Sequence, residues 1–462
     1  MLLTRECLNI PETRDYSALI LKYTQQAENL IWKDHKEPEV SDDAKIVISY
    51  LLFSRLEDLL SKGPYRFYAG QSYFLRREPL LARLTADYAA FIRETLENLH
   101  AMRGEISGLN GCGWTKVTGL RDCGGDQHNR GRCTLVVETD GGRFVYKPRD
   151  CAVDRWFMEL ADAFCSDYLY VPRVVTGRNC GLFEYVESTE ADARRGEAFS
   201  YNLGRFCALV RMLGSVDQHR ENLLVKDEKV VPVDLETILA PRERLDFFAR
   251  STGKDYTPAE YERLQTSLRP SALLYFEIRG EPFSILHDPL GEGRTPPPAD
   301  GQQNDKEEKP TGLEAGFTAE YRRIWANKAL YAAELCRASD CRIRTVIRNT
   351  RQYDAMLDLL FRDTEEAGEE NILRLLRADT VPELEAVCTG ELEGLSRGDI
   401  PYFYTEVGSK DICCDGETAV RDFFEMSAAE QALHRLDTAG EAELEYELRL
   451  LRRTKEEDGS DR

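Results

Sequence analysis

Residues 216–237 read V-D-Q-H-R-E-N-L-L-V-K-D-E-K-V-V-P-V-D-L-E-T, which puts Asp217, His219 and Asn222 on one tight loop and Asp234 and Glu236 on the next. Between the loops, Leu223–Val225 and Val230–Val233 are apolar runs around Lys-Asp-Glu-Lys at 226–229, a pattern that predicts a hairpin. Upstream, Leu203, Phe206, Val210 and Leu213 recur at helical spacing, so an amphipathic helix feeds the first loop. A hairpin that ends in an acid, preceded by a loop bearing Asp, His and Asn, suits the handling of a phosphate. Asp217 is placed to accept the proton of an attacking hydroxyl, and Asn222 with Asp234 to hold Mg²⁺ on the phosphates of ATP. Mg²⁺ favours a few oxygen ligands supplemented by phosphate oxygens, which an Asn–Asp pair supplies and a His/Cys cluster does not.

Bulk properties narrow the class. The 462 residues exceed one ordinary core and predict two or three domains. The 42% hydrophobic and 31% charged residues are those of a soluble globular protein. A net charge of −21 argues against nucleic acid or an anionic membrane as the main partner, because either needs a basic surface. No apolar run approaches a membrane span, and the N-terminal M-L-L-T-R-E-C lacks a signal-peptide core, so the expectation is a cytoplasmic protein. The 13 cysteines are scattered without C-x-x-C, and the six histidines form no H-E-x-x-H. Reduced, mostly buried thiols and no zinc chemistry are expected.

Residues 1–107 predict a helical region. Its helices are marked by Leu19–Trp32, by Ile46–Leu60, and by Leu81, Leu84, Tyr88, Phe91, Leu96 and Leu99 following Pro79. Nothing there carries chemistry; it reads as a scaffold or a peptide-docking surface. The texture changes over 108–186. Seven glycines fall between 108 and 131, with Asp126, His128 and Asn129 among them, and such a backbone can bring N–H groups close to phosphate oxygens. Thr134–Glu138 and Arg143–Tyr146 flank Thr-Asp-Gly-Gly at 139–142, a second hairpin signal. Lys147 ends that strand, where a kinase places the lysine that pairs with the α- and β-phosphates. The helix from Asp154 to Cys165 offers Glu159 or Asp162 as its acidic partner. Tyr168–Val175 and Leu182–Val186 predict further strands, the second as the crossover into a lobe spanning 187–290.

Beyond Glu236 a largely helical stretch is expected to about Leu286. Residues 291–312 hold no large apolar side chain and contain Thr-Pro-Pro-Pro at 295–298, which predicts a mobile loop. Helices resume over 313–462. Arg342, Arg344, Arg348 and Arg351 lie close together before a helix starting near Thr350, either as a phosphate-binding patch or as a salt-bridged surface. The last 80 or so residues read as helical and acidic, with a frayed tail from Lys455. The order of glycine-rich hairpin, strand lysine, helix, crossover strand, helix and Asp-His-Asn loop is that of a two-lobed, kinase-like α+β core.

Seven motifs extend this picture: G-D-Q-H-N-R-G-R at 125–132, V-Y-K-P-R at 145–149, D-Q-H-R-E-N at 217–222, V-D-L-E-T at 233–237, G-F-x-x-x-Y at 316–321, R-x-x-x-x-x-T-R-x-Y at 344–353 and G-D-I-P-Y-F at 398–403. In identity and order they resemble the dehydratase domain of type II lanthipeptide synthetases (LanM), over roughly residues 75–450. The resemblance implies a lipid-kinase-type fold with N- and C-terminal helical additions. It also implies an enzyme that phosphorylates Ser and Thr of a leader-bearing precursor peptide with ATP and Mg²⁺, then eliminates phosphate to leave dehydroalanine or dehydrobutyrine. Under it, Lys147, Asp217, His219, Asn222, Asp234 and Glu236 fall on the phosphorylation residues, with Lys147 and Glu236 at the nucleotide and Asn222 and Asp234 at the metal. Asp126, His128, Arg344 and Thr350 fall where elimination is carried out; the base for the Cα proton stays open. One departure stands out: the C-terminal zinc-binding cyclase domain of typical members is missing, so ring formation is expected to fall to another protein or to proceed without an enzyme. Two other readings use the same residues. One is a kinase of a peptide, small molecule or lipid that stops at the phosphorylated product, which Arg344 and Thr350 disfavour. The other is a non-catalytic leader-binding partner, which the intact Asp217–Asn222–Asp234 set disfavours.

Overall fold

The computed structural model describes residues 17–36, 38–61, 71–110, 113–189, 196–252, 254–271, 273, 277–278, 281–282, 312–348, 350–362, 365–378 and 382–456. The architecture is mixed α/β with several sheets. Helix α1 (Ser17–Trp32), strand β1 (Glu39–Val40), α2 (Asp42–Ser61), α3 (Gln71–Ala101) and α4 (Arg103–Asn110) come first. The expected third helix starts upstream of Pro79, which lies inside α3. Then follow β2 (Lys116–Asp122), β3 (Leu135–Thr139), β4 (Gly142–Lys147), α5 (Ala152–Phe164), β5 (Val174–Thr176) and β6 (Gly181–Glu184).

These strands form one sheet in the order β1-β2-β3-β4-β6-β5, with β1–β2 parallel and the remaining pairs antiparallel. Strand β2 lies inside the stretch expected to be a glycine-rich loop. Val117 and Leu120 face the core, while Gly119 sits at a register shift where an added Cβ would come 2.9 Å from Glu138 Oε2. The strand expected over 168–175 is shorter, because Tyr168 and Leu169 bury themselves in a different core and Leu169 bridges to Val230. On the helical side of the sheet, Ile48, Phe91, Ile92 and Leu96 share a single core with Trp114, Leu120, Phe144 and Tyr146. Each such burial contributes about 1.5–3 kcal/mol.

The chain continues through α6 (Glu197–Leu213), the hairpin β7 (Leu223–Lys226) and β8 (Lys229–Pro232), α7 (Leu245–Thr252), α8 (Pro258–Thr266), and a short hairpin β9 (Glu277–Ile278) and β10 (Glu281–Pro282). Next come α9 (Gly312–Ala326), α10 (Lys328–Arg337), β11 (Arg342–Thr345), α11 (Thr350–Arg362), α12 (Glu365–Ala378) and α13 (Glu385–Ser396). Strands β12 (Phe403–Glu406), β13 (Ile412–Cys414) and β14 (Glu417–Val420) precede α14 (Ala428–Asp437) and α15 (Glu441–Glu456). The three strands correct the all-helical expectation for the C-terminal part: with β11 they make an antiparallel sheet in chain order. Runs of three or four residues are too short to show a period, so the acidic turn residues between them dominate the pattern. Of the loop expected over 291–312, residues 291–311 lie outside the described residues, and Gly312 begins α9. Residues 283–286, the end of the stretch expected to be helical, and 457–462 of the tail also lie outside them.

Helices α6 and α9 form the centre of the second core, and glycine sets their separation. A Cβ on Gly204 would lie 2.0 Å from the Leu313 carbonyl oxygen, and one on Gly316 would lie 1.9 Å from that of Tyr201. The G-F-x-x-x-Y motif is thus a packing device, with Phe317 and Tyr321 buried beside Leu203, Phe206 and Val210. Among the described residues no helix is long and apolar enough to cross a membrane, and the eleven described cysteines are free thiols. Gly316→Ala is expected to destabilise the protein by at least about 1–3 kcal/mol, since backbone cannot yield as a side chain can. Denaturant unfolding monitored by circular dichroism measures this; an unchanged midpoint would contradict the close crossing.

Candidate functional site

The hairpin turns at Asp227 (φ 51°) and Glu228 (φ 61°), both left-handed, the geometry whose twist suits a two-residue turn. At its open end the Val233 N–H donates to the Asn222 carbonyl at 3.0 Å, so Asn222 and Asp234 flank the same end of the ladder. Helix α6 stops at Gly214, whose φ of 74° reverses the chain. The following loop is docked by the Val216 N–H on the Thr237 carbonyl at 3.1 Å and by Thr237 Oγ1 on the Val216 carbonyl at 2.9 Å. Asp217 itself holds φ at 59°, a conformation that costs a non-glycine residue energy and persists only where the surroundings enforce it. One enforcing contact is Asn222 Nδ2, which donates to the Asp217 carbonyl at 2.8 Å. His219 Nε2 lies 3.6 Å from Asp217 Oδ1, and its Nδ1 accepts the Glu221 N–H at 3.2 Å.

Strand β4 delivers Lys147 to the base of the hairpin. Its Nζ donates to the Val233 carbonyl at 2.6 Å, lies 3.5 Å from Asp154 Oδ1, and sits 4.8 Å from the centre of the Phe183 ring. The acidic partner is therefore Asp154, not Glu159 or Asp162. Asp154 stands in the first turn of α5, directly after β4, with its side chain fully buried. Five residues on, Glu159 has rotated about 140° around the helix and meets Arg337 at 2.8 Å on the outside, and Asp162 is exposed. Burial alone would raise the Asp154 carboxyl, but Arg149 and Lys147 outweigh it and hold the pKa below the usual range.

Arg149 is the hub that the sequence did not assign. Its Nη1 and Nη2 bind Asp154 at 2.6 and 3.0 Å, Nη2 reaches Asp234 Oδ1 at 3.7 Å, and Nε reaches Glu236 Oε2 at 3.4 Å. The other Glu236 oxygen takes Arg344 Nη1 at 2.7 Å. Strand β11 brings that arginine in, since the Arg344 N–H also donates to the Glu236 carbonyl at 2.7 Å. Arg344 Nη2 lies 3.9 Å from Asp126 Oδ2, which accepts Thr350 Oγ1 at 3.0 Å. Of the four neighbouring arginines, Arg344 alone faces this cluster. Arg342 lies over the Tyr404 ring, Arg348 pairs with buried Glu391 at 2.8 Å, and Arg351 is exposed.

The D-I-P-Y-F motif closes the site from the far end of the chain. Asp399 accepts the N–H groups of Arg130 and Gly131 at 2.5 and 2.8 Å, and the Ile400 N–H donates to the Gln127 carbonyl at 2.9 Å. His128 Nδ1 lies 2.7 Å from the Ile400 carbonyl, so it carries the proton and leaves Nε2 as an acceptor. The Tyr402 ring packs edge-on against His128 and 5.8 Å from the Arg344 guanidinium. Burial and then the charge of Arg344 lower the His128 pKa to about 4, which keeps the ring neutral. Arg149, Asp154, Asp399 and Tyr402 are the site residues that sequence reasoning missed. Three of them stand in or beside quoted motifs, Y-K-P-R and D-I-P-Y-F, and that proximity was their only signal.

All ten residues expected at the site converge here. Lys147, Arg149 and Arg344 face Asp126, Asp154, Asp217, Asp234 and Glu236, three cations against five carboxylates, so two negative charges are in excess. Burial, followed by the like charges of Asp234, Glu236 and Asp126, raises the Asp217 pKa to about 6 against the pull of Arg344, although half of the side chain faces solvent. A divalent cation beside Asp234 and Asn222 fits that excess. Among the described residues no group of three or more His, Cys, Asp or Glu is arranged to hold a metal. The donors present therefore suit a cation that draws its remaining ligands from phosphate and water.

A folded-state pKa raised from 3.8 to about 6 means that ionised Asp217 opposes folding; the penalty is absent below about pH 4 and fully felt above about 6. Asp217→Asn is thus expected to raise Tm relative to wild type at pH 7.5, with the gain shrinking at pH 4.5; a lower Tm at pH 7.5 would refute it.

No curated protein matches the chain. A family model described as a domain of unknown function (DUF4135) matches residues 77–281 and 289–406, a span that contains every residue named at the site. The chain belongs to this family, which is associated with lanthipeptide synthetase-like proteins.

Proposed function

We propose that the protein is a LanM-type peptide dehydratase with a two-lobed, lipid-kinase-like core, which phosphorylates Ser or Thr of a precursor peptide and then eliminates the phosphate. The observation that carries this reading is the unbroken chain of ion pairs from Lys147 through Asp154, Arg149, Glu236 and Arg344 to Asp126, extended by the hydrogen bond that Thr350 donates to Asp126. It joins the residues suited to phosphoryl transfer to those suited to elimination, which supports a single site for both half-reactions. Mg·ATP, when bound, supplies the phosphoryl group and neutralises its charge, with Asn222 and Asp234 as metal ligands and Lys147 on the phosphates. Asp217 takes the proton of the substrate hydroxyl as its oxygen attacks; a carboxylate raised to about 6 is still ionised at neutral pH, and more basic than an ordinary one.

In elimination a base removes the Cα proton, the Cα–H pair forms the C=C bond, and the Cβ–O pair leaves with the phosphate. Arg344 would supply the cation and Thr350 the hydroxyl donor for that developing charge. The leader-bearing peptide, any separate cyclase, and a cytoplasmic setting belong to the same proposal.

The two half-reactions separate by mass, because phosphorylation adds about 80 Da per site and completed dehydration removes about 18 Da. Arg344 also holds Glu236, so its loss is expected to damage both steps, whereas Thr350 touches only Asp126 among the contacts described. Thr350→Ala with ATP and a Ser/Thr-rich precursor peptide is expected to accumulate phosphopeptide, while Asp217→Asn lowers phosphorylation by about 10²- to 10⁴-fold. A wild-type product that keeps its phosphates would leave a peptide kinase. ATP turnover by Asp217→Asn at the wild-type rate would remove the proposed site altogether.

A further inference from the structure

Tyr402 stands in the site with no chemical task assigned to it. It precedes β12 by one residue, and the sheet fixes which way it faces. Arg344 on β11 is in register with Tyr404, so Tyr402, two residues earlier, shares the face of Arg344. The Tyr402 ring lies 5.8 Å from the Arg344 guanidinium, just as the Tyr404 ring lies 4.7 Å from that of Arg342. On its other side the Tyr402 ring meets His128 at 5.5 Å between centres and 61° between planes. The segment is fastened at both ends: the Gln127 carbonyl holds the Ile400 N–H, and β11 holds Phe403–Glu406. Tyr402 is thus rigidly placed between the glycine-rich loop and Arg344.

Its hydroxyl, by contrast, is unused. Tyr168 and Tyr353 donate to the buried carboxylates of Glu320 and Glu391 at 3.1 and 2.8 Å. Among the described residues no such acceptor takes the Tyr402 hydroxyl, and the oxygens of Glu236, whose charge it feels, are already bound by Arg149 and Arg344. Burial, followed by the charge of Glu236, raises the phenol pKa against the pull of the two arginines, so the hydroxyl keeps its proton at neutral pH. A donor beside a guanidinium, with no acceptor of its own, suits an oxygen of an anion. We propose that the Tyr402 hydroxyl donates a hydrogen bond to the phosphate carried on a phosphorylated Ser or Thr side chain, which makes it a further catalytic residue of elimination. The inference rests on the dehydratase reading above. As the Cβ–O electron pair leaves with the phosphate, that hydrogen bond strengthens with the charge on the oxygen, and Tyr402 retains its proton throughout. Elimination is assigned rather than phosphoryl transfer because the ring contacts are His128 and Arg344, not the Asp217–Asn222–Asp234 set.

Tyr402→Phe removes the hydroxyl and keeps both ring contacts. The full chain is given a synthetic peptide carrying phosphoserine, with Mg²⁺ and the ADP that transfer leaves behind, and phosphate release is followed. The kcat of elimination is expected to fall by about 10- to 10²-fold with KM little changed, as loss of a donor to a charged group in the transition state requires. Phosphorylation of the unmodified peptide by ATP, and Tm, are expected to match wild type. Elimination by Tyr402→Phe at the wild-type rate overturns the inference and leaves the dehydratase reading standing. A change confined to KM, or lost phosphorylation with elimination intact, overturns it too, because the hydroxyl would then serve binding or ATP. A fall in Tm together with both half-reactions makes Tyr402 a structural residue. Wild type that releases no phosphate from the phosphopeptide overturns the dehydratase reading, and this inference with it.

Discussion

The buried carboxylate of Glu236 is the contact on which the rest of the site depends. Its two oxygens are divided between Arg149, which comes from the end of β4, and Arg344, which comes from β11. One side chain thereby ties the six-stranded sheet, the β7–β8 hairpin and the four-stranded sheet to a common point. Both arginines then reach outward, Arg149 to Asp154 and Asp234, Arg344 to Asp126. Burial works against the ionised form of Glu236, but the two arginines outweigh it and hold the carboxyl below its ordinary range. Removing one partner from such a buried pair typically costs about 3–5 kcal/mol, so the cluster is rigid for an electrostatic reason rather than a packing one.

Rigidity of that kind permits strain at its edge. Asp217 combines a left-handed backbone with a carboxyl pushed upward by burial and by Asp234, two unfavourable features at one residue. Both persist because Val216 and Thr237 hold the loop against the Asp-Leu-Glu segment on either side of it. A polar residue kept in such a state, within reach of the charges that perturb it, is where chemistry is expected rather than packing. The second clamp has the same logic. Asp399 holds two consecutive amides of the glycine-rich loop, and the Ile400 carbonyl selects the His128 tautomer. A loop rich in glycine has high entropy when free, so acceptors from a distant segment are needed to give it one conformation.

Local order made much of this protein legible from residues alone. The hairpin at 223–232, helix α6 and the start of α11 at Thr350 follow from periodicity and turn chemistry, because neighbours in sequence are neighbours in space there. Lys147, Asp217, Asn222 and Asp234 could be named for the same reason, each in a short motif whose residue types suit phosphate chemistry, whereas the roles of Asp126, His128, Arg344 and Thr350 came only with the family resemblance. Tertiary structure decided which of them touch. Asp154 rather than Glu159 or Asp162 partners Lys147, because the phase of α5 relative to β4 is set by packing and not by composition. Strand β2 and strands β12–β14 were hidden, since short strands draw their stability from ladder partners far along the chain. Arg149, Asp399 and Tyr402 acquire meaning only when residues more than 80 positions apart meet. A buried charge is stable only beside its counter-charge, and where that counter-charge lies is settled by the fold.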